Sequence, residues 1–170
     1  MSKFVNILAI CQTIVVQKKD NQLVYNASSP DELALANAAR HFGIVFEGRD
    51  DDENIVLMNK HLNKRFTYEL LNIIEFTSER KRMSVIVRTP DGKILCMTKG
   101  ADSIIASKLA AGQESLLSTT SEYLDEYANE GLRTLLVAQK EVDPEFYKEW
   151  NEKYKHAMFS MDKRKDEKLN

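Results

Sequence analysis

The segment "MSVIVRTPDGKILCMTK", residues 83–99, predicts a β-hairpin around which the rest of the fold is arranged. Its centre, Thr89-Pro90-Asp91-Gly92, fits a type I turn with Gly92 in the left-handed region, which gives a three-residue loop closed by a bulge. Because side chains alternate along a strand, the register set by this turn gathers apolar residues on one face. The expected cross-strand pairs are Thr89 with Lys93, Val87 with Leu95, Val85 with Met97, and Met83 with Lys99. The same register places Lys81 on the side of the hairpin that carries Lys99.

Two helices are predicted before the hairpin. Apolar residues recur at helical spacing over residues 4–11, which indicates an N-terminal helix. The motif SSPDE then predicts the start of a second helix, with Ser29 as N-cap, Pro30 at the first helical position and Glu32 completing a capping box. Gly43 is a suitable residue for the C-terminal end of this helix.

The remaining segments predict a sheet with helices packed on it. Strands are expected at 23–26, 44–48, 54–59, 64–76 and 132–142, and helices at 101–110, 118–130 and 144–158. The acidic run at 50–53 is expected to be a solvated hairpin loop, and residues 159–170 are expected to fray. Strands in meander order with inserted helices predict an α+β fold, with an antiparallel β-sheet flanked by helices.

Composition and missing motifs exclude several functions. Among 170 residues, 24 Lys and Arg face 26 Asp and Glu, so the net charge of −2 does not favour nucleic acid as a partner. No apolar run approaches the roughly 18 residues of a membrane-spanning helix. The two cysteines, Cys11 and Cys96, are expected to be buried free thiols. The sequence contains neither a phosphate-binding loop nor a dinucleotide fingerprint, and it has no residues at metal-ligand spacing or in the context of a catalytic nucleophile. These missing motifs favour binding over cleavage of any nucleotide.

Three residues have both a structural and a functional interpretation. Phe76 is either a core residue at a strand end or an aromatic at a pocket rim that stacks on a base. Lys99 is either a lysine whose stem lies along a strand end or a cation over a pocket. Glu32 is explained by the capping box, and it could also accept a hydrogen bond from the amino group of a base. The residue types alone leave these alternatives open.

Four motifs in fixed order resemble the nucleotide-binding domain of P-type ATPases. They are SSPDELAL, EFTSERKRMSVIVRTPDGK, TKGAD and EGLRTL. The fuller forms YNASSPDE and FTSERKRMSVIVR resemble the type IV branch of that superfamily, the phospholipid flippases. The resemblance runs over residues 4–158 and implies that residues 1–170 are a single nucleotide-binding domain of a larger membrane ATPase. Residues 60–65 and 111–121 match none of its motifs and are therefore expected to be variable loops.

The resemblance implies an ATP site and assigns residues to it. Lys99 would line the pocket above a backbone turn at Gly100. The other implied contacts are Phe76 stacking on adenine, Glu32 near the adenine amino group, Ser78 and Lys81 flanking the nucleotide, Arg133 reaching the phosphates, and Thr134 beside it in the GLRT motif. No catalytic residue and no metal ligand is implied in this domain, so Mg²⁺ is expected to arrive with ATP.

The resemblance also implies a parent protein and its partners. The domain would be the cytosolic part of an integral membrane protein and would present the γ-phosphate of ATP to a phosphorylation domain. An actuator domain and an accessory membrane subunit are the other expected partners. The segment DKTGT with the phosphorylated aspartate is not in this sequence, so no hydrolysis is expected from it alone. Two alternatives stay open: the same domain of a cation-transporting P-type ATPase, and an interaction domain that no longer binds nucleotide.

Overall fold

Two antiparallel sheets and five helices make up the described part of the chain. The structure is a computed structural model that describes residues 3–20 and 22–169, with side chains described as far as residue 160. The elements in this part are α1 (Lys3–Ile10), β1 (Val15–Lys19), β2 (Gln22–Asn26), α2 (Pro30–His41), β3 (Ile44–Arg49), β4 (Ile55–Asn59), β5 (Lys64–Ile74), β6 (Arg82–Arg88), β7 (Ile94–Gly100), α3 (Asp102–Ala106), α4 (Glu114–Asn129), β8 (Leu136–Val142) and α5 (Pro144–Leu169).

The larger sheet is a meander. Its six strands lie in the order β3-β4-β5-β6-β7-β8, and each strand is antiparallel to its neighbours. The connection from β7 to β8 contains α3 and α4, whereas β1 and β2 form a separate two-stranded sheet. The predicted α+β fold, an antiparallel sheet flanked by helices, is confirmed.

The central hairpin has the register that the sequence predicts. Val87 pairs with Leu95, Val85 with Met97, and Met83 with Lys99. At the turn, the Gly92 N–H donates to the Thr89 carbonyl oxygen at 2.8 Å, and the φ of Gly92 is +88°. The alternate residues Val85, Val87 and Met97 are buried in the hydrophobic core, as the shared apolar face requires.

The core lies on one face of the sheet, beneath α1 and α2. Ile7 and Ile10 of α1 and Ala36 and Ala39 of α2 are buried in the same hydrophobic core as the hairpin residues. The two alanines let α2 pack closely, because a methyl side chain takes little space between helix and sheet.

The last helix lies on the other face of the sheet. Asn72 of β5 pairs with Ile86, which alternates with the core residues of β6 and therefore faces away from them. The Tyr147 hydroxyl donates to Asn72 Oδ1 at 2.7 Å, and Asn72 Nδ2 donates to Asn151 Oδ1 at 3.1 Å. Polar contacts thus attach α5 to β5.

Most predicted helix ends are confirmed. Ser29 precedes α2 and its Oγ accepts the Glu32 N–H at 3.5 Å, Pro30 is the first helical residue, and Gly43 follows the helix with φ of +82°. The prediction of a complete capping box is wrong. The Glu32 carboxylate does not close the box, because it binds residues outside α2. Asp143 begins α5 by accepting the Phe146 N–H at 2.9 Å.

The segment around α4 differs from the prediction. Residues 111–121 were expected to be a loop, but α4 begins at Glu114. The expected strand at 132–142 begins only at Leu136, because the residues before it end the helix. The Gly131 N–H donates to the Ala128 oxygen at 2.9 Å and the Leu132 N–H to the Tyr127 oxygen at 2.9 Å, which is a Schellman ending.

Smaller differences concern single elements. The sequence does not predict the strand β1, because three of its five residues (VVQKK) are polar and only Val16 is partly buried. The helix α3 ends at Ala106, earlier than expected, and the turn between β4 and β5 spans residues 60–63.

Two expectations concern the end of the chain and the membrane. The expected fraying of residues 159–170 stays a prediction, because the side chains from 161 onward and the whole of Asn170 lie outside the described residues. None of the helices in the described part of the chain is both long and apolar enough to cross a lipid bilayer.

Candidate functional site

A cavity of about 480 Å³ opens between the start of α2 and the ends of β5 and β7. Its lining side chains include Glu32, Phe76 and Lys99, three of the residues selected from the sequence. Leu35 and Met83 give it an apolar floor. The fold thus brings together residues from segments that are far apart in the chain.

Lys99 and Glu32 form a buried ion pair in this cavity. Lys99 Nζ lies 3.0 Å from Glu32 Oε1, and the two side chains are only 7% and 10% exposed. Lys99 is the next-to-last residue of β7 and Glu32 lies in the first turn of α2. Because the Lys99 side chain is buried, its interpretation as a lysine that extends to solvent is wrong. Burial of an ion pair is favourable only when its remaining hydrogen-bonding capacity is satisfied.

Thr13 supplies the remaining hydrogen bonds to Glu32. The Thr13 N–H donates to Glu32 Oε1 at 3.2 Å, and the Thr13 hydroxyl donates to Glu32 Oε2 at 2.8 Å. Thr13 lies between α1 and β1 and lines the cavity. Thr13 cannot be recognised from the sequence as a site residue, because a lone threonine beside an apolar segment gives no signal for a binding site.

Phe76 lies at the rim of the cavity with its side chain exposed. The strand β5 ends at Ile74, so Phe76 belongs to the following loop, and 61% of its surface is accessible. The interpretation of Phe76 as a core residue at a strand end is wrong. Arg80 fixes this loop, because its Nη1 donates to the carbonyl oxygens of Ile74 at 3.2 Å and Glu75 at 2.8 Å.

Gly100 has a different role from the one expected. It is the last residue of β7, paired with Arg82 on one side and Leu136 on the other, and does not form a turn. A Cβ atom at Gly100 would lie 2.5 Å from the Lys81 carbonyl oxygen and 2.5 Å from Arg82 Cβ. Glycine is required here because two backbones approach closely next to Lys99.

The other selected residues lie outside the lining. Ser78 and Lys81 belong to the loop after β5, and Arg133 and Thr134 to the segment before β8. The hairpin register does not extend to Lys81, whose φ of +51° and N–H bond to the Thr77 oxygen place it in a turn before β6.

Arg133 is connected to the cavity through Asp31. Arg133 Nη1 lies 2.7 Å from Asp31 Oδ2, and Asp31 lines the cavity. This ion pair also raises the pKa of Arg133 above its ordinary value, chiefly through the hydrogen bond to Asp31. Asp31 was noted in the sequence only as part of SSPDE, and its partner is 102 positions away.

The thiol of Cys11 lies in the core near Lys99 and is inert. Burial raises the pKa of Cys11 to about 12, and the positive charge of Lys99 only partly opposes this. Cys11 Sγ donates to the Met97 carbonyl oxygen at 3.5 Å. Both cysteines are free thiols as predicted, although Cys96 is only half-buried.

The lining of the cavity suits ligand binding. Within the described residues, neither histidine nor cysteine lines the cavity, and the side chains described up to residue 160 include no group of His, Cys, Asp and Glu that could hold a metal ion. What the cavity offers is an exposed aromatic ring, an apolar floor and a carboxylate fixed by three donors. These groups match a flat ligand that carries a hydrogen-bond donor.

Comparison with known proteins identifies a family and several relatives. The family model described as P-type ATPase, cytoplasmic domain N, matches residues 1–168. Phospholipid-transporting ATPase ID of Homo sapiens is 45% identical over 165 residues, which cover 96% of this chain and 13% of that protein. Phospholipid-transporting ATPase dnf2 of Schizosaccharomyces pombe is 42% identical over 161 residues, which cover 94% of this chain and 11% of that protein.

A third relative has a similar extent of overlap. Probable phospholipid-transporting ATPase IM of Homo sapiens is 42% identical over 168 residues, 98% of this chain and 14% of that protein. The chain therefore spans only 11% to 14% of the length of these relatives.

Proposed function

Because this chain belongs to the family of P-type ATPase cytoplasmic domains N, we propose that its cavity binds ATP by the adenine base. The observation that supports this most directly is the cavity at the start of α2, where Phe76, Glu32 and Lys99 meet. The exposed ring of Phe76 would stack on adenine, a contact worth about 1–3 kcal/mol per base. Glu32 would accept a hydrogen bond from the 6-amino group while it keeps its ion pair with Lys99.

The phosphates would extend from the base towards the exposed loops. Arg133 would leave Asp31 and bind a phosphate, because guanidinium groups bind phosphate and carboxylate oxygens in the same way. Ser78, Lys81 and Thr134 lie on the loops at which the nucleotide would leave the cavity. Mg²⁺ would arrive with the triphosphate.

The proposed role of the domain is to position ATP for chemistry elsewhere. The γ-phosphate would be presented to an aspartate of a phosphorylation domain in the parent chain, which would depend on closure of the two domains. An actuator domain and an accessory membrane subunit complete the proposed partners. In this proposal the chain is a cytosolic domain of an integral membrane protein.

A phospholipid is the proposed cargo of the parent protein. The relatives described above have names that state phospholipid transport, and they are 42% to 45% identical to this chain. Cargo is selected outside this domain, so transport in a membrane vesicle assay of the parent protein would test this part, with a cation as the alternative cargo.

An ATP titration of the 170-residue chain, followed by backbone amide chemical shifts, tests the binding function. We expect saturable shifts near Phe76, Lys99 and Arg133, with a dissociation constant of roughly 1 mM, or about −4 kcal/mol. If several millimolar ATP leaves these amides unchanged, the domain does not bind nucleotide by itself and the alternative of an interaction domain is favoured.

A further inference from the structure

We infer that Thr13 is a positioning residue of the cavity, which holds the Glu32 carboxylate ready to accept a hydrogen bond from the 6-amino group of adenine. The inference rests on the ATP-binding function proposed above. It gives Thr13 an effect on nucleotide selectivity, although Thr13 belongs to none of the motifs from which the site was selected.

Thr13 holds both oxygens of the carboxylate at once. Its N–H donates to Oε1 at 3.2 Å and its hydroxyl to Oε2 at 2.8 Å. Lys99 binds only Oε1, at 3.0 Å. With the ammonium alone, the carboxylate could rotate about its last bond, whereas two donors from one residue fix its plane.

The turn that contains Thr13 is itself rigid. Gln12 is only 3% exposed, and its side chain binds the backbone on both sides of Thr13. Gln12 Nε2 donates to the Ala9 carbonyl oxygen at 3.2 Å, and Gln12 Oε1 accepts the Ile14 N–H. Because its neighbours are fixed, Thr13 presents its donors to Glu32 without first having to be ordered by the ligand.

One acceptor position of Glu32 remains for a ligand. A carboxylate has about four lone-pair sites, and three hydrogen bonds from Thr13 and Lys99 occupy three of them. The remaining acceptor suits the amino group of adenine. Hypoxanthine has a carbonyl oxygen at the same place, which would face the carboxylate as a second acceptor. A fixed Glu32 should therefore favour ATP over inosine triphosphate.

The test compares ATP and inosine triphosphate on matched threonine variants. Thr13→Val keeps the shape of the side chain and the backbone N–H but removes the hydroxyl. Thr13→Ser keeps the hydroxyl. The control is Thr67→Val, which also replaces a threonine by valine, but at an exposed position of β5. Dissociation constants are measured for the full 170-residue chain by calorimetry or amide shifts.

The expected result is a change in selectivity. In Thr13→Val, the preference for ATP over inosine triphosphate falls about threefold to tenfold, which is less than the full effect of one hydrogen bond to a charged group, because the Thr13 N–H and Lys99 still hold the carboxylate. The affinity for inosine triphosphate stays the same, and Thr13→Ser and Thr67→Val keep the preference of the wild type. General damage to the fold would instead weaken both nucleotides together.

Other outcomes overturn the inference in distinguishable ways. If the wild type binds neither nucleotide, the proposed function fails, and with it the role of Thr13. If the wild type binds both equally, ATP binding stands but Glu32 does not select the base. If Thr13→Val keeps the wild-type preference, only the role of Thr13 fails.

A measurement on the wild type covers the case in which Thr13→Val does not fold. The Thr13 amide donates to Glu32, so its chemical shift should move on titration with ATP and much less with inosine triphosphate. Equal movement with both nucleotides contradicts the inference.

Discussion

At the residue scale, the site depends on how the charge of Lys99 is neutralised. Its ammonium is almost completely buried and binds Glu32 at 3.0 Å. Isolated buried charges are strongly unfavourable, so removal of either member of the pair would leave an uncompensated charge inside the protein. Lys99 therefore contributes to stability as well as to the cavity, which the sequence alone did not indicate.

Removal of Lys99 should destabilise the fold. Lys99→Met leaves Glu32 buried without a cation, and the free energy of unfolding should fall by about 3–5 kcal/mol. Adding Glu32→Gln should recover part of this loss, because the uncompensated charge is then gone. Denaturant unfolding of the single and double variants measures both effects.

The surface pair Lys93–Glu141 is the control for this prediction. Its nitrogen and oxygen are 2.9 Å apart, but its side chains are 54% and 59% exposed. Lys93→Met should change stability far less than Lys99→Met, because water stabilises the remaining carboxylate. Equal losses in the two variants would contradict the importance of burial.

Phe76 should affect binding without affecting the fold. In Phe76→Ala, ATP binding should weaken at least about fivefold because a stacked ring is lost, while the free energy of unfolding should stay within about 0.5 kcal/mol of the wild type. Phe146→Ala is the matched control, since Phe146 is 62% exposed and does not line the cavity, and Phe76 is 61% exposed. Unchanged affinity in Phe76→Ala, with the fold intact, would exclude stacking at this position.

At the element scale, the end of β7 connects the sheet to the site. Lys99 and Gly100 are its last two residues, and Gly100 lies against the backbone of residues 81–82. The Ala101 N–H also donates to the Lys81 carbonyl oxygen at 3.0 Å. The loop after β5 and the end of β7 are thus fixed relative to each other, with Phe76 on the first and Lys99 on the second.

A methyl group at Gly100 should disturb this contact. Gly100→Ala should lower the free energy of unfolding by about 1–3 kcal/mol, the usual effect of overpacking, and should weaken ATP binding because Lys99 is displaced. Gly92→Ala is the control. Gly92 has a φ of +88° and open space around it, so its substitution costs backbone strain but should leave ATP affinity unchanged. Calorimetry and denaturant unfolding measure the two quantities.

At the scale of the whole molecule, an exposed ion pair connects α2 to the segment before β8. Asp31 and Arg133 are 102 positions apart in sequence and 2.7 Å apart in space. Asp31 lines the cavity, and the arginine is the group that we propose for the phosphates. Without a nucleotide, the Asp31 carboxylate therefore binds the Arg133 guanidinium group to which a phosphate would bind.

Release of Arg133 should strengthen ATP binding. Asp31→Asn removes the competing charge, and the affinity for ATP should rise about twofold to fivefold at low salt, since exposed pairs are weak. The gain should shrink at high salt as the charges are screened. Arg133→Gln should lower the affinity, and a loss of affinity in Asp31→Asn would contradict competition between Asp31 and phosphate. Titrations at two salt concentrations measure the effect.

Features that depend on neighbouring residues can be predicted from the sequence. Turn chemistry at Thr89–Gly92 and the alternation of apolar residues fixed the register of the hairpin, and Ser29, Pro30 and Gly43 marked the ends of α2. Each of these signals acts within a few residues, so it can be recognised without the fold. The motifs SSPDELAL and TKGAD also identified the family.

Contacts between distant side chains follow only from the packing of the folded chain. Glu32 satisfies a local capping pattern in the sequence, but its carboxylate binds Thr13 and a lysine 67 positions away. The exposure of Phe76 and the steric requirement at Gly100 likewise depend on strands that approach from elsewhere in the chain. Such contacts form only once the sheet and α2 are packed together, because burial and spatial proximity are properties of the assembled chain.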